Sequence, residues 1–257
     1  MRKIVEDHEI IKIDTPVEGN HIIHFRSPVD IPEIFPGNFS EIQVPEAPDV
    51  FLRRPFSILD VDYENRTLSF YIKVIGKGTK KLGELRRGQK VNMIYPLGNA
   101  YTIDDGLKNV LIVGGGSGIA PFILLGKELK KRGIKATILL GARTARDILL
   151  TDEFSKYGEV LVTTEDGSRG EKGLVTQHTV FNKSNFTFDK VFTCGPDPMM
   201  KAVGNIARER NIECEVSLEN MMACGFGVCL CCVTPTQEGN KRVCIEGPVF
   251  NVNYLSW

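Results

Sequence analysis

The chain has no excess of charge of either sign. Its 257 residues carry 32 basic and 32 acidic side chains, so there is no basic footprint for nucleic acid. No apolar run reaches the length of a membrane span. The first dozen residues include Lys3, Glu6 and Asp7 and lack the apolar core of a signal peptide. The expected location is therefore the cytoplasm, with no membrane and no nucleic acid among the partners. There is one tryptophan, and the four histidines (His8, His21, His24 and His178) show no metal-ligand spacing, so they are taken as ordinary fold residues. Internal repeats and low-complexity tracts are also missing.

Cysteine, by contrast, is plentiful. There are seven, an odd number that sits poorly with a disulfide framework in a reducing compartment. Four of them, Cys224, Cys229, Cys232 and Cys244, follow the pattern Cys-x4-Cys-x2-Cys with a fourth cysteine further on. The first three match the spacing that wraps a plant-type [2Fe-2S] cluster. Gly225 and Gly227 let the intervening backbone curl so that amides point at sulfur. Structural zinc also uses four thiolates, but normally as two close pairs, and here only Cys229 and Cys232 form one. Disulfides remain the third reading. Cys231 is the one substitute ligand available; its side chain is expected to point away if that of Cys232 points in.

The length admits two or three domains. Short β-rich runs at 10–13, 21–26, 39–44, 56–61, 67–74 and 90–96, punctuated by prolines, predict a small antiparallel barrel. After Tyr101 the pattern changes to buried-style apolar strands at 110–113, 136–140, 160–164, 190–193 and 214–218. Helices are expected between them at 119–132, 152–156, 174–181 and 198–210, which defines a parallel sheet with helices on both faces. The fold class expected is multi-domain β plus α/β: a barrel over 1–101, a parallel-sheet domain over 102–218 and a small cysteine-rich domain over 219–257, held together by its cluster.

Two glycine-rich segments stand where nucleotides bind in open α/β sheets. Gly114, Gly115, Gly116, Ser117 and Gly118, followed by Ile119, Ala120 and Pro121, join the first parallel strand to its helix. Such a loop brings amides and a helix N-terminus to a pyrophosphate. It departs from a strict G-x-G-x-x-G, and a plain tight turn is the alternative. Cys194, Gly195 and Pro196 follow the fourth parallel strand; Cys194 is read either as lying at the mouth of a nicotinamide cleft or as a buried small thiol. In the barrel, Arg54, Pro55, Phe56 and Ser57 offer a phosphate clamp, an aromatic flank and a hydroxyl for a flavin. Gly76, Lys77, Gly78 and Thr79 offer a second phosphate-sized turn before a short helix.

In this order, the motifs resemble the ferredoxin–NADP reductase superfamily. The run from Met222 to Cys229 and the ending Cys244-Ile245-Glu246-Gly247-Pro248-Val249-Phe250 are similar to the electron transfer subunits of dihydroorotate dehydrogenase B. The resemblance covers essentially the whole chain. It implies FAD bound by Arg54, Pro55, Phe56, Ser57, Tyr71, Ile72, Lys73, Gly78 and Thr79. It implies NAD at Gly114, Gly115, Gly116, Gly118, Pro121, Cys194, Gly195 and Pro196, and a [2Fe-2S] cluster on Cys224, Cys229, Cys232 and Cys244. The implied partner is an FMN-containing dihydroorotate dehydrogenase catalytic subunit, in a heterotetramer of two of each chain. In that setting electrons pass from the partner's FMN through the cluster to FAD and on to NAD, in pyrimidine biosynthesis. No residue is assigned with certainty to the chemical step.

One departure concerns the second parallel strand. It ends at Gly141, Ala142 and Arg143, with Arg146 close by, where many NAD sites place an acid; NADP is the alternative. A diaphorase subunit of a ferredoxin–NADP oxidoreductase, hydrogenase or sulfite reductase is the alternative function, and a redox-sensing module without turnover the third. The tail residues Phe250, Tyr254, Leu255 and Trp257 are read either as a partner surface or as packing onto their own domain.

Overall fold

The structure is a computed structural model and describes residues 3–45, 47–182 and 186–257. The chain divides into two compact units. One comprises residues 1–100, 220–234 and 240–248; the other comprises 101–219, 235–239 and 249–257. The cysteine-rich segment is thus shared out by contact, most of it with the N-terminal strands.

In the first unit, β1 (Ile4–Val17), β2 (Asn20–Arg26), β3 (Phe39–Ile42), β4 (Arg54–Asp62), β5 (Thr67–Lys73) and β6 (Lys90–Leu97) close into a barrel. Their order is β1-β2-β5-β4-β3-β6, and every neighbour pair is antiparallel. Closure removes the free edges that short strands would otherwise expose. Ile10, Ile23, Phe25, Ile58, Leu68 and Phe70 are fully buried and fill it; Phe25 and Phe70 meet edge to face at 5.8 Å. A short helix, α1 (Lys77–Gly83), follows β5.

His8, on β1, is buried against the Tyr95 ring. Its Nδ1 lies 3.1 Å from the Glu6 carbonyl. Burial pushes its pKa down to about 4, whereas in the unfolded chain it is about 6.5. A base depressed in this way adds stability that is present above the unfolded value and lost as pH falls toward the folded one. Denaturant unfolding should therefore show a loss of up to about 3 kcal/mol between pH about 6.5 and 4, and His8→Gln should flatten that loss. An unchanged slope in His8→Gln would refute the assignment.

The second unit holds a sheet of β7 (Asn109–Gly115), β8 (Lys135–Ala142), β9 (Glu159–Thr164), β10 (Glu171–Lys172), β11 (Lys190–Cys194) and β12 (Glu213–Ser217). The helices α2 (Phe122–Lys131), α3 (Thr151–Phe154) and α4 (Asp197–Glu209) lie between these strands in the chain. Further along the chain come a hairpin, β13 (Val233–Thr236) and β14 (Gly239–Arg242), and a single helical turn, α5 (Val243–Glu246), with residues 240–248 belonging to the first unit; β15 (Val249–Asn251) returns to the second. The sheet order is β10-β9-β8-β7-β11-β12-β15. All pairs are parallel except β12 with β15, so an antiparallel edge strand completes a sheet expected to be wholly parallel. The strand order reverses direction between β7 and β11, the place where open α/β sheets bind ligands. No helix among the described residues is long and apolar enough to cross a membrane.

Lys190 opens β11 with its side chain fully buried, and it pairs with Asp104 at 2.8 Å, Glu213 at 3.0 Å and Glu215 at 3.5 Å. Burial without these carboxylates would leave an uncompensated charge. The tail packs on this same unit. Leu255 and Phe250 are buried, Lys201 sits 5.5 Å over the Trp257 ring, and Arg208 donates to the Trp257 carbonyl at 3.0 Å. Of the two readings of the tail, packing is the one the structure carries. Leu255→Ala should lower stability by about 2–4 kcal/mol in thermal unfolding; a surface residue would cost almost nothing.

Candidate functional site: a nucleotide crevice and a four-cysteine loop

Hydrophobic β7 delivers the loop that follows it directly to the switch point, because Gly114 stands level with Cys194 of β11. The loop turns through a 3-10 segment from Gly116 to Ile119, and Pro121 caps α2. Gly118 is held against the other half of the crevice: a Cβ there would lie 2.5 Å from the Cys194 carbonyl carbon and oxygen and from Gly195 Cα. A Cβ on Gly115 would meet Met199 Sδ at 2.5 Å and Pro196 Cδ at 3.0 Å. The two glycine-rich motifs, distant in the sequence, are therefore one structural feature. Cys194 is 1% exposed, and its thiol donates to Glu219 Oε1 at 3.8 Å. Burial raises the thiol well above its ordinary pKa, with the Glu219 carboxylate adding to the rise. A buried thiol raised in this way is poorly suited to act as a nucleophile. Glu219 was not foreseen from sequence; it adjoins Cys194 only because β11 and β12 run side by side. Arg143 and Arg146, after β8, are exposed, and the Arg143 carbonyl accepts from Asp166 N at 3.2 Å.

In the barrel, Arg54, Pro55, Phe56 and Ser57 open β4 half-buried, whereas Ile58 and Leu59 beyond them are fully covered. The structure brings this motif to the turn before α1: a Cβ on Gly78 would lie 3.0 Å from Arg54 Nε. Arg54 Nη1 donates to the Leu52 carbonyl at 2.7 Å, which aims the guanidinium. The Thr79 hydroxyl accepts from the amides of Ile75 and Gly76 at 2.9 and 3.0 Å, so Thr79 shapes the turn. Tyr71 is buried and donates to Asn20 Oδ1 at 2.6 Å. Ile72 is fully buried and Lys73 half-buried. A guanidinium beside a tight turn, with an aromatic and a hydroxyl along one strand, suits the pyrophosphate and ring of a flavin.

The four cysteines lie in the first unit as well. Cys232 and Cys244 are buried, Cys224 is half-buried and Cys229 is exposed. The amide of Cys244 donates to Cys232 Sγ at 3.4 Å. Gly225 has φ +73° and Gly227 φ +86°, the left-handed turns that the spacing requires. At Cys224, burial raises the thiol pKa, but amides of Cys229, Phe226 and Val228 outweigh it and bring the value down to about 6. At Cys244, burial and the neighbouring Cys232 thiol push it up to about 12. Among the described residues no three His, Cys, Asp or Glu side chains close round a single metal ion. A two-iron cluster asks instead for four thiolates with amides turned to sulfur, and amides do turn to sulfur at Cys224, from Cys229, Phe226 and Val228, and at Cys232, from Cys244. Cys231 is exposed, with Sγ 3.7 Å from the Met221 carbonyl, whereas Cys232 is buried.

Comparison with known proteins agrees with this geometry. Residues 219–256 match the iron–sulfur cluster binding domain of dihydroorotate dehydrogenase B. Residues 112–205 match the oxidoreductase NAD-binding domain. The electron transfer subunit of dihydroorotate dehydrogenase B (NAD(+)) from Fusobacterium nucleatum is 36% identical, covering 96% of this chain and 94% of that one. The corresponding subunit from Caldanaerobacter subterraneus is 44% identical, covering 78% and 79%. The solved structure of an NADH-dependent reduced ferredoxin-NADP oxidoreductase superposes with a TM-score of 0.87 at 34% identity, over 97% of this chain and 90% of that one. A ferredoxin NADP+ reductase from Neisseria gonorrhoeae shares the fold, with a TM-score of 0.67 at 16% identity over 80% and 91%. The class is thereby defined: a ferredoxin-reductase-like oxidoreductase with FAD, NAD and a [2Fe-2S] cluster as its cofactors. Within that class, the chain belongs to the family of dihydroorotate dehydrogenase B (NAD(+)) electron transfer subunits.

Proposed function

We propose that this chain passes electrons between NAD and an FMN-containing dihydroorotate dehydrogenase catalytic subunit, in the cytoplasm, within a heterotetramer of two of each chain. The observation that carries this reading is that the four cysteines and the Arg54–Gly78 clasp belong to one compact unit. A one-electron carrier and a flavin site share a frame there. FAD, when bound, exchanges a hydride with nicotinamide and single electrons with the cluster. The protein's own work is to hold and exclude. Arg54, Gly78 and the turn shaped by Thr79 would seat the flavin phosphates, with Phe56 and Ser57 along its ring. Gly114 to Gly118 and Cys194 to Pro196 would seat the nicotinamide nucleotide, the protonated Cys194 thiol adding no charge. Cys224, Cys229, Cys232 and Cys244 would hold the cluster, its ligands deprotonated as metal binds. The exposed apolar side chains Met221, Phe226, Val228 and Leu230 beside Cys229 supply a surface for the partner to cover.

The similarity to the NADH-dependent reduced ferredoxin-NADP oxidoreductase at 34% identity favours a second reading, the same electron path serving a different partner. The test is anaerobic purification from native cells, followed by addition of dihydroorotate and NAD. NADH formation with a co-purifying FMN chain supports the first reading. Oxidation of NADH or NADPH by a preparation inert to dihydroorotate supports the second, and the NADH-to-NADPH rate ratio decides the nucleotide preference.

A further inference from the structure

Glu41 lies in the middle of β3, level with Pro55 of the flavin motif. It is fully buried, and neither carboxyl oxygen has a hydrogen-bond partner. Its Cγ occupies the space beside Gly225, where a Cβ would come within 2.6 Å of it. An acid in that state is costly, and a strand facing only apolar neighbours would be better served by leucine. The charged and titratable groups that act on it through space are Arg53, just before β4, Arg54, at the start of β4, and Cys224 of the cysteine loop. Arg53 gives its hydrogen bonds elsewhere: Nη2 donates to Asn92 Oδ1 at 2.6 Å, and Nη1 to the Asn92 carbonyl at 3.0 Å and the Glu41 carbonyl at 3.4 Å. The carboxyl is therefore balanced only through space.

We propose that Glu41 is the barrel residue that sets the reduction potential of the cluster, holding an unpartnered carboxyl under the Cys224–Cys229 loop. It is a positioning residue and touches no reacting atom. Potentials of iron–sulfur clusters follow nearby charge, hydrogen bonding to sulfur and solvent access; this carboxyl contributes the first and, by filling the space at Gly225, restricts the third. An electron arriving on the cluster adds negative charge next to it, so the carboxylate disfavours reduction. Burial raises the Glu41 pKa to about 7, Arg53 opposing and Cys224 adding to the rise, so the charge is tested above that value. The inference rests on the proposed cluster.

The test is a redox titration of the full-length, cluster-loaded protein, followed by electron paramagnetic resonance at about pH 8.5, above the Glu41 value. Glu41→Gln should shift the cluster midpoint upward, raising the reduced-to-oxidised ratio at fixed potential about tenfold. The resonance line shape should stay unchanged, showing intact four-cysteine ligation. Glu41→Asp keeps the charge and should return most of that shift. Arg53→Gln, which removes the opposing cation, should move the midpoint downward, and it serves as the deciding variant if Glu41→Gln loses its cluster. An unmoved or lowered midpoint in Glu41→Gln, or an unmoved or raised one in Arg53→Gln, overturns the inference. A wild-type protein with no [2Fe-2S] signal overturns the cluster reading itself, an outcome distinct from a cluster whose potential ignores Glu41.

Discussion

Replacing Cys244 with serine is expected to remove the iron–sulfur absorption and resonance signals. Electron transfer to the partner should fall by on the order of 100-fold or more, since disturbing even the groups that support a metal's ligands costs 10–100-fold. Cys244 has two roles that serine cannot fill. Its thiol is buried on α5, and its amide supports Cys232 Sγ. Burial and Cys232 push the Cys244 thiol pKa up to about 12, and a thiol loses its proton when it binds metal, so metal binding and proton release are coupled there. Reduction of the flavin by NADH should persist in the variant, because neither the Arg54–Gly78 clasp nor the crevice at β7 and β11 uses any of the four cysteines. Loss of both activities together would show that the cluster holds the flavin site in shape, and a retained signal would exclude Cys244 as a ligand. The same substitution at exposed Cys231 should leave the signals unchanged.

Gly118→Ala is expected to have the second large effect. The new methyl would stand 2.5 Å from the Cys194 carbonyl and Gly195 Cα, and backbone on both sides leaves no flexible end to yield. Overpacking of this kind costs up to about 3 kcal/mol. It acts where the two nucleotide motifs meet, so stability and NADH binding should fall together. NADH affinity is expected to drop about 10- to 100-fold, as 1.4 kcal/mol is tenfold. Thermal unfolding and the NADH dependence of flavin reduction measure the two effects. A stable variant with unchanged NADH affinity would mean that the loop can retreat from Cys194.

The parts of this molecule legible in its sequence are those whose cause is local. The barrel strands show as short apolar runs between turn residues, and the parallel strands as unbroken apolar runs, because burial on one face or two writes those patterns directly. Four cysteines at fixed spacing need no fold to be recognised. The helix expected over 174–181 is instead two 3-10 turns, Val175–Gln177 and Thr179–Phe181. Gln177 Oε1 takes the Leu174 amide and His178 Nδ1 takes the Val180 amide, so side chains compete with the helix for its backbone donors. The clasp of Arg54 on Gly78, the partnership of Cys194 with Glu219 and the burial of Glu41 depend on register between strands. A period or a spacing does not encode that register. The aromatic tail was ambiguous for the same reason: Leu255 and Trp257 look like a sticky end until β15 places them on their own unit.

That edge strand has a consequence for synthesis. β12 meets parallel β11 on one side and three-residue β15 on the other. β15 is the last strand of the sheet to leave the ribosome, after the whole cysteine segment. Until then the nascent chain presents a free, largely buried-type strand edge, a template for pairing with other chains. A pause between β12 and β15, or shortage of iron while the cysteine segment is being made, would prolong that exposure. Inclusion bodies formed under iron limitation, and relieved by iron or by slower growth, are the cellular trace this order of strands should leave.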